Sequence, residues 1–172
     1  MLAHCRHWVL YSPKKVVEYL QLGASIQPRA TIQAGDSLQP MRIVVDTSTV
    51  IAVVAGEAEK TKLIELTKDA TIVAPPSIDW EVGNAFSAML KRSRINLEQA
   101  IEAIEAYQEI SLEIVEINLK EAVRLAGKFN IYAYDAYVLQ CAIEHNLPLI
   151  SLDKNMIDIA KREGIQVIEV EL

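Results

Sequence analysis

MRIVVDTS, residues 41–48, is the stretch that decides the fold, because it joins an unbroken apolar run to a carboxylate and two hydroxyls. Ile43, Val44 and Val45 are β-branched at successive positions, which is typical of a strand buried on both faces of a parallel sheet. Asp46 ends the run, and Thr47 or Ser48 can cap a helix that follows. The stretch therefore predicts a strand that passes directly into a helix.

The chain beyond this stretch repeats the same order of short apolar runs and longer helical patterns. Strands are predicted at residues 42–45, 71–74, 113–117, 147–151 and 166–170. Helices are predicted after Asp46, from Ser77 to about Arg92, from Asn96, and over 118–128, 133–145 and 153–164. This alternation predicts an α/β fold, a three-layer α/β/α sandwich with a central, mostly parallel sheet of four to five strands.

Composition limits the class of protein. The chain has 172 residues, of which 51% are hydrophobic and 23% charged, enough for one domain with a sizeable core. No apolar run approaches the ~18 residues that a membrane span needs, and the N-terminus does not read as a signal peptide. Cys5 and Cys141 are the only cysteines and stand far apart, so no disulfide framework is expected and a cytoplasmic setting is the default.

Residues 1–40 and 41–172 differ in character. The first forty residues hold four of the 17 Lys and Arg but two of the 23 acidic residues, which leaves 13 basic and 21 acidic residues, a net charge of −8, for the remainder. We expect 1–40 to be a poorly structured extension, upstream of a natural start at Met41, and 41–172 to be the domain. Native peptides from 1–40 would contradict that start. His4, Cys5 and His7 lack a second ligand pair, so chance explains them better than a metal site.

Four acidic residues end apolar runs or begin helices: Asp46, Glu81, Asp135 and Asp153. Ligand sites in open α/β sheets form beyond the carboxyl ends of the strands, so folding should bring these side chains together. Crowded carboxylates repel one another, and a divalent cation with hard oxygen ligands, Mg²⁺ or Mn²⁺, relieves that repulsion. Taken singly, each residue also has a purely structural explanation: Asp46 and Asp153 could be helix caps, and Glu81 could be a solvated helix residue.

The residues around these carboxylates resemble the motifs of the PIN domain, and most of all those of the VapC toxin ribonucleases. The similarity runs from Met41 to about Leu172 and rests on Val44-Val45-Asp46-Thr47-Ser48, Glu81 with Asn84, Tyr134-Asp135-Ala136 and Ser151-Leu152-Asp153-Lys154. It implies an acidic metal pocket built from Asp46, Glu81, Asp135 and Asp153. It also implies that Ser48 supports Asp46, and that Asn84 is the polar residue one turn after Glu81.

The resemblance implies a metal-dependent endoribonuclease that hydrolyses RNA phosphodiester bonds, and the toxin of a toxin–antitoxin pair. Asp46 and Asp135 are expected to be the principal ligands of Mg²⁺ or Mn²⁺, with Glu81 and Asp153 completing the pocket. A cognate antitoxin and a homodimer are the expected partners. The dimer is expected to form through the helices of residues 77–108, where Ile101, Ile104 and Tyr107 exceed what one helix face needs.

Other functions stay open at this point. A PIN-like module that binds RNA or protein without cutting is the main alternative, and a net charge of −6 argues against binding nucleic acid by bulk electrostatics. The basic cluster of Lys91, Arg92 and Arg94 is either a solvated helix end or a phosphate contact. A haloacid dehalogenase-type phosphatase would need a second aspartate where Ser48 stands. A response-regulator receiver domain would need adjacent acidic residues near the first strand, but the residues before Asp46 are apolar.

Three further residues are expected to be structural. Trp80 is expected in the core beside Glu81, and Cys141 is expected to be a small core residue of the helix over 133–145. His145 is expected to interact favourably with the dipole at the end of that helix.

Overall fold

The computed structural model describes residues 40–171, so the expectations for residues 1–39, including His4, Cys5 and His7, lie outside the described residues. Five strands and seven helices are present in that part of the chain: β1 Met41–Val45, α1 Thr47–Ala55, α2 Lys60–Thr67, β2 Ala70–Ala74, α3 Ile78–Lys91, α4 Leu97–Gln108, β3 Leu112–Ile114, α5 Leu119–Phe129, α6 Ala133–His145, β4 Leu149–Ile150, α7 Lys154–Arg162 and β5 Val167–Ile168.

Strand β1 is the centre of the sheet and is buried on both faces. Ile43 and Val45 pack in one hydrophobic core, and Val44 packs in the other. Because successive side chains of a strand point to opposite faces, three apolar residues in a row serve both cores. The burial predicted for this stretch is confirmed.

All strand pairings are parallel, in the order β3-β2-β1-β4-β5. Helices α1 to α4 pack on one face of the sheet, and α5 to α7 pack on the other. The predicted α/β sandwich with a parallel sheet of four to five strands is confirmed.

The strand order reverses direction next to β1. The chain passes from β1 outward to β2 and β3 on one side, and later returns to place β4 and β5 on the other. In parallel α/β sheets the crevice at such a switch point, beyond the carboxyl ends of the two strands, is where ligands bind. Asp46 follows β1 directly and Asp153 lies three residues beyond β4, so both belong to this crevice.

Some of the helix caps predicted from the sequence are present in the structure. Asn96 and Gln99 form the predicted capping box, with the Gln99 amide donating to the Asn96 side chain at 2.8 Å and the Asn96 amide donating back at 2.9 Å. Asn118 accepts from the Lys120 and Glu121 amides as predicted.

The second half of the box predicted at Asn118 is wrong. The Asn118 amide donates to Glu144 Oε2 at 2.8 Å, while Glu121 pairs with Arg124. The long-range partner therefore replaces the local one, which ties the start of α5 to the end of α6.

The structure corrects one core prediction and extends another. Trp80 is 73% exposed rather than buried, because Ile78 and Val82 supply the core-facing side of α3. Cys141 is fully buried as predicted, and burial raises the pKa of its thiol to about 12. None of the helices described between residues 40 and 171 has the length and apolarity to cross a lipid bilayer.

Candidate active site

Asp46 is the buried carboxylate of the site, with 5% of its surface exposed. It caps α1 by accepting from the Ser48 amide at 2.6 Å, a role predicted for Thr47 or Ser48. The Ser48 and Ser151 hydroxyls both donate to its Oδ2. Burial raises the pKa of Asp46 and the charge of Asp153 raises it further, against the opposing effect of these hydrogen bonds.

Asp153 is joined to Asp46 through a shared serine. The Asp153 amide donates to Ser151 Oγ at 3.0 Å, and Ser151 Oγ donates to Asp46. Asp153 itself is exposed and caps α7, where its Oδ1 accepts from the Asn155 and Met156 amides. This oxygen is held by the helix start, and the same residue remains close enough to influence the charge on Asp46.

Glu81 lies in the first turn of α3 and is fixed by two hydroxyls. Thr47 Oγ1 donates to Glu81 Oε2 at 2.8 Å, and Ser77 Oγ donates to Oε1 at 2.9 Å. Ser77 occupies the cap position of α3 but makes no capping hydrogen bond, which corrects the cap predicted there. Burial raises the pKa of Glu81, and the charges of Asp46 and Asp135 raise it further.

Asp135 reaches the site from the other face of the sheet, in the first turn of α6. Burial raises its pKa, and the negative charges of Asp153 and Asp46 add to the increase. Helices α5 and α6 are antiparallel, since the start of α5 is hydrogen-bonded to Glu144 near the end of α6. Helix α6 also leads through a short loop into β4, which runs parallel to β1, so α6 ends at the amino edge of the sheet and begins at the carboxyl edge, beside the crevice.

The remaining predicted polar residues lie at different distances from the carboxylates. Asn84 is exposed on α3, about one turn beyond Glu81. The basic cluster of Lys91, Arg92 and Arg94 is exposed at the opposite end of α3. At a rise of about 1.5 Å per residue it lies roughly 15 Å along the axis from Glu81, too far to contact a phosphate bound there.

The pKa values of Asp46, Glu81 and Asp135 are thus each raised in part by a neighbouring carboxylate, yet the four acidic residues do not form a ready-made metal cage. Among residues 40–171, none of the four forms an ion pair with a lysine or arginine. Within the same range, no three His, Cys, Asp or Glu side chains are arranged to hold an ion. The donor chemistry, hard oxygen without a cationic partner, fits Mg²⁺ or Mn²⁺, and side-chain adjustment would be needed to complete the coordination.

Hydroxyl residues are the part of the site that sequence reasoning missed. Ser151, Thr47 and Ser77 each hold a carboxylate, and only Ser48 was expected to do so. The signal was present in the spacing, because Thr47 follows Asp46 and Ser77 lies four residues, about one helical turn, before Glu81.

A separate cavity of about 320 Å³ lies between α1, α2 and the edge formed by β2 and β3. Its walls are largely apolar, with Val50, Leu63 and Ile72 among them, and none of the four carboxylates lines it. Its lining does not suit a phosphodiester.

A parallel α/β sandwich with carboxylates gathered at the switch point of its sheet is the class of protein that this fold and site define. The sequence profile of the PIN domain matches residues 43–162, and the chain belongs to the PIN domain family.

Solved structures with the same fold include PAE2754 from Pyrobaculum aerophilum, at 21% identity and a TM-score of 0.57 over 80% of this chain and 92% of that one. VapBC2 from Rickettsia felis, bound to a DNA fragment from its promoter, is similar at 16% identity and a TM-score of 0.55 over 76% and 100%. VapC20 of Mycobacterium tuberculosis, a Sarcin-Ricin loop cleaving toxin, is similar at 14% identity and a TM-score of 0.50 over 67% and 93%. No curated protein matches the chain.

Proposed function

We propose that this protein is a divalent-metal-dependent endoribonuclease that hydrolyses RNA phosphodiester bonds. One observation carries the proposal: Asp46, Glu81 and Asp135, on three separate segments of a PIN domain, have pKa values raised by burial and by neighbouring carboxylates. Perturbed carboxylates gathered in a crevice are typical of functional sites, and here a cation would relieve their repulsion.

Asp46 and Asp135 are the proposed principal ligands of Mg²⁺ or Mn²⁺, with Glu81 and Asp153 completing the pocket. Held by these residues, an ion would neutralise charge on the phosphate and would lower the pKa of a water molecule to supply a nucleophile at neutral pH. The oxygen donors required for this are all carboxylates, the ligand type that these ions prefer.

The hydroxyls around the carboxylates have a positioning role in this proposal. Ser48 and Ser151 hold Asp46, and Thr47 holds Glu81, which limits how far either side chain has to move when an ion or a substrate arrives. The exposed amide of Asn84 is the proposed polar contact for the RNA beside Glu81.

Cleavage of single-stranded RNA by the full chain tests the proposal. We expect cleavage with Mg²⁺ or Mn²⁺, none with chelator, and a loss of at least 100-fold, on the order of the effect of removing one key catalytic group, in Asp46→Asn. Glu98→Gln is the matched control, since Glu98 is exposed at the start of α4, the end remote from the site. Full metal-dependent cleavage by Asp46→Asn would exclude the assignment.

We further propose that the protein is the toxin of a toxin–antitoxin pair, acts in the cytoplasm as a homodimer and is inhibited by a cognate antitoxin. The support is the fold shared with the VapBC2 complex and the cleaving toxin VapC20. Growth arrest on expression, relieved by coexpression of the protein encoded beside it, tests this role; growth unaffected by an RNA-cleaving chain would contradict it.

A second candidate is a PIN-like module that binds RNA or protein without cutting. It is favoured by the absence, within residues 40–171, of three side chains already arranged to hold an ion. RNA binding that needs no metal, with no cleavage under any divalent ion, would select it.

A further inference from the structure

Two large aromatic side chains beside the carboxylates are at least 73% exposed. Trp80 is 73% exposed and Tyr132 is 83% exposed, whereas side chains of this size usually bury most of their apolar surface.

The two rings belong to the starts of the two helices that carry site carboxylates. Trp80 immediately precedes Glu81 in the first turn of α3, and Tyr132 occupies the cap position of α6, three residues before Asp135. Glu81 accepts from Thr47 at the carboxyl end of β1, and α6, which leads into the parallel strand β4 beside β1, begins at that same edge of the sheet, so both helix starts lie at the crevice. Trp80 and Tyr132 therefore flank the carboxylates from two different elements.

The exposure of Trp80 follows from the side of α3 that faces the hydrophobic core. Ile78 and Val82, four residues apart, are both buried and fix the inner side of the helix. Asp79 accepts from the Tyr107 hydroxyl of α4 at 2.6 Å, which fixes a second side. Trp80 lies about 200° around the helix from Ile78, so it must project outward. The position is imposed by the packing of α3 rather than by a loose surface rotamer.

We propose that Trp80 and Tyr132 are stacking platforms for the bases on either side of the cleaved phosphodiester. The inference rests on the proposed nuclease function. Base–aromatic stacking tolerates any sequence and requires bases free of a duplex, where they stack on one another. It also supplies affinity that does not depend on charge, which suits a chain with a net charge of −6.

A protein interface is the other use for exposed rings, and the site disfavours it. The carboxylates of Glu81 and Asp135 stand beside these rings, and the cores of protein interfaces are depleted in charged residues. A nucleic acid strand would instead place its phosphate at the carboxylates and its bases over the rings.

Binding measured without cleavage tests this inference separately from the proposed function. The full chain carrying Asp135→Asn is titrated, with Mg²⁺ present, with a single-stranded RNA of about ten nucleotides and with an abasic strand of the same length. Trp8 and Trp80 are the only tryptophans, so Trp8→Phe leaves Trp80 as the sole source of tryptophan fluorescence. Stacking should quench Trp80 with the RNA and leave it unchanged with the abasic strand.

Removing either ring should weaken the binding of single-stranded RNA. Trp80→Ala and Tyr132→Ala should each raise the Kd for the single strand about tenfold or more, and should leave the Kd for the abasic strand unchanged. Trp80→Phe and Tyr132→Phe, which keep an aromatic face, should restore most of the affinity. Val123→Ala is the control, because Val123 is 57% exposed on α5, away from both helix starts.

Several results would overturn the inference. These are equal affinity of the alanine variants and the parent for the single strand, equal losses with the abasic strand, or no binding of single-stranded RNA. A change in sedimentation without a change in RNA affinity would assign the rings to a protein interface and overturn it too. Failure of the unsubstituted chain to cleave RNA concerns the proposed function alone.

Discussion

At the scale of single residues, the hydrogen bonds to Asp46 determine what the site can do. An ion buried away from water carries a penalty of several kcal/mol unless donors compensate it. Here one amide and two hydroxyls compensate it, and two of these three donors come from Ser48. Ser151 is distinctive because its hydroxyl also accepts from the Asp153 backbone amide and so links the Asp46 carboxylate to the start of α7.

Ser151→Ala should therefore cost more than an ordinary serine substitution. We expect a loss of about 1–3 kcal/mol in the free energy of unfolding, because a buried carboxylate oxygen loses a donor. Urea denaturation of the metal-free protein measures it, with Ser87→Ala as the exposed control on α3. Equal effects of the two substitutions would show that the Ser151 hydrogen bond contributes nothing.

Asp135→Asn should stabilise the metal-free protein in a pH-dependent way. The pKa of Asp135 is raised in the folded protein, so its charged form opposes folding above that pKa. As the pH falls through the raised pKa toward the ordinary value of 3.8, the parent protein takes up a proton on folding and gains stability. The advantage of the variant should be largest at neutral pH and shrink on acidification.

Denaturation of parent and variant in chelator from pH 7 to pH 4 checks this. A difference in stability that is independent of pH, or one that grows as the pH falls, would contradict the environment assigned to Asp135.

At the scale of elements, sequence patterns succeeded where local interactions dominate. The predicted helix over residues 133–145 has the same bounds as α6, and the capping box of α4 is present in full. Helix α2 was not predicted, because Leu63 is its only fully buried residue and its apolar pattern is correspondingly weak. Ser77 was assigned to a cap but donates to Glu81, and its backbone is helical (φ −69°, ψ −15°) where a capping residue is normally extended.

The capping box of α4 should be measurable. Asn96→Ala removes the acceptor for the Gln99 amide and should lower the free energy of unfolding by about 1 kcal/mol. Asn96→Asp keeps that acceptor and should lose less. Thermal unfolding of the two variants compares them, and equal losses would show that the box does not stabilise α4.

At the scale of the whole molecule, the fold was more predictable than the site. Buried residues at successive positions, as in Ile43–Val45, establish a parallel sheet, and parallel strands place their carboxyl ends at one edge. Asp135 was expected at that edge because its helix was thought to follow a strand. It reaches the crevice because α6 leads back into the parallel strand β4 and so begins at the carboxyl edge, a direction set by the pairing of β4 with β1 and not by any local pattern in the sequence.

The proposed homodimer needs a revised test. Tyr107 is buried and Ile104 packs against the core, so neither supplies the exposed apolar face expected of them. Leu97 and Ile101 supply such a face instead, since they are 66% and 48% exposed and lie one helical turn apart on α4. Leu97→Asp should weaken a dimer formed there about tenfold or more, with Glu98→Gln as control. Unchanged sedimentation at dilution would exclude α4 from the interface.

The domain boundary is likewise a proposal. A fragment of residues 41–172 is expected to keep the unfolding temperature and RNA cleavage of the full chain, because the residues described for the two hydrophobic cores all lie in that range. A fragment that fails to fold would show that residues 1–40 contribute to the domain.

Calorimetric titration of the full chain with Mn²⁺ tests the central claim, that the acidic residues bind one shared ion, most directly. Saturable binding is expected, weakened at least tenfold in both Asp46→Asn and Asp135→Asn and unchanged in Glu98→Gln, because carboxylates from separate elements would share one ion. Absence of saturable binding, or binding that neither aspartate substitution weakens, would contradict it.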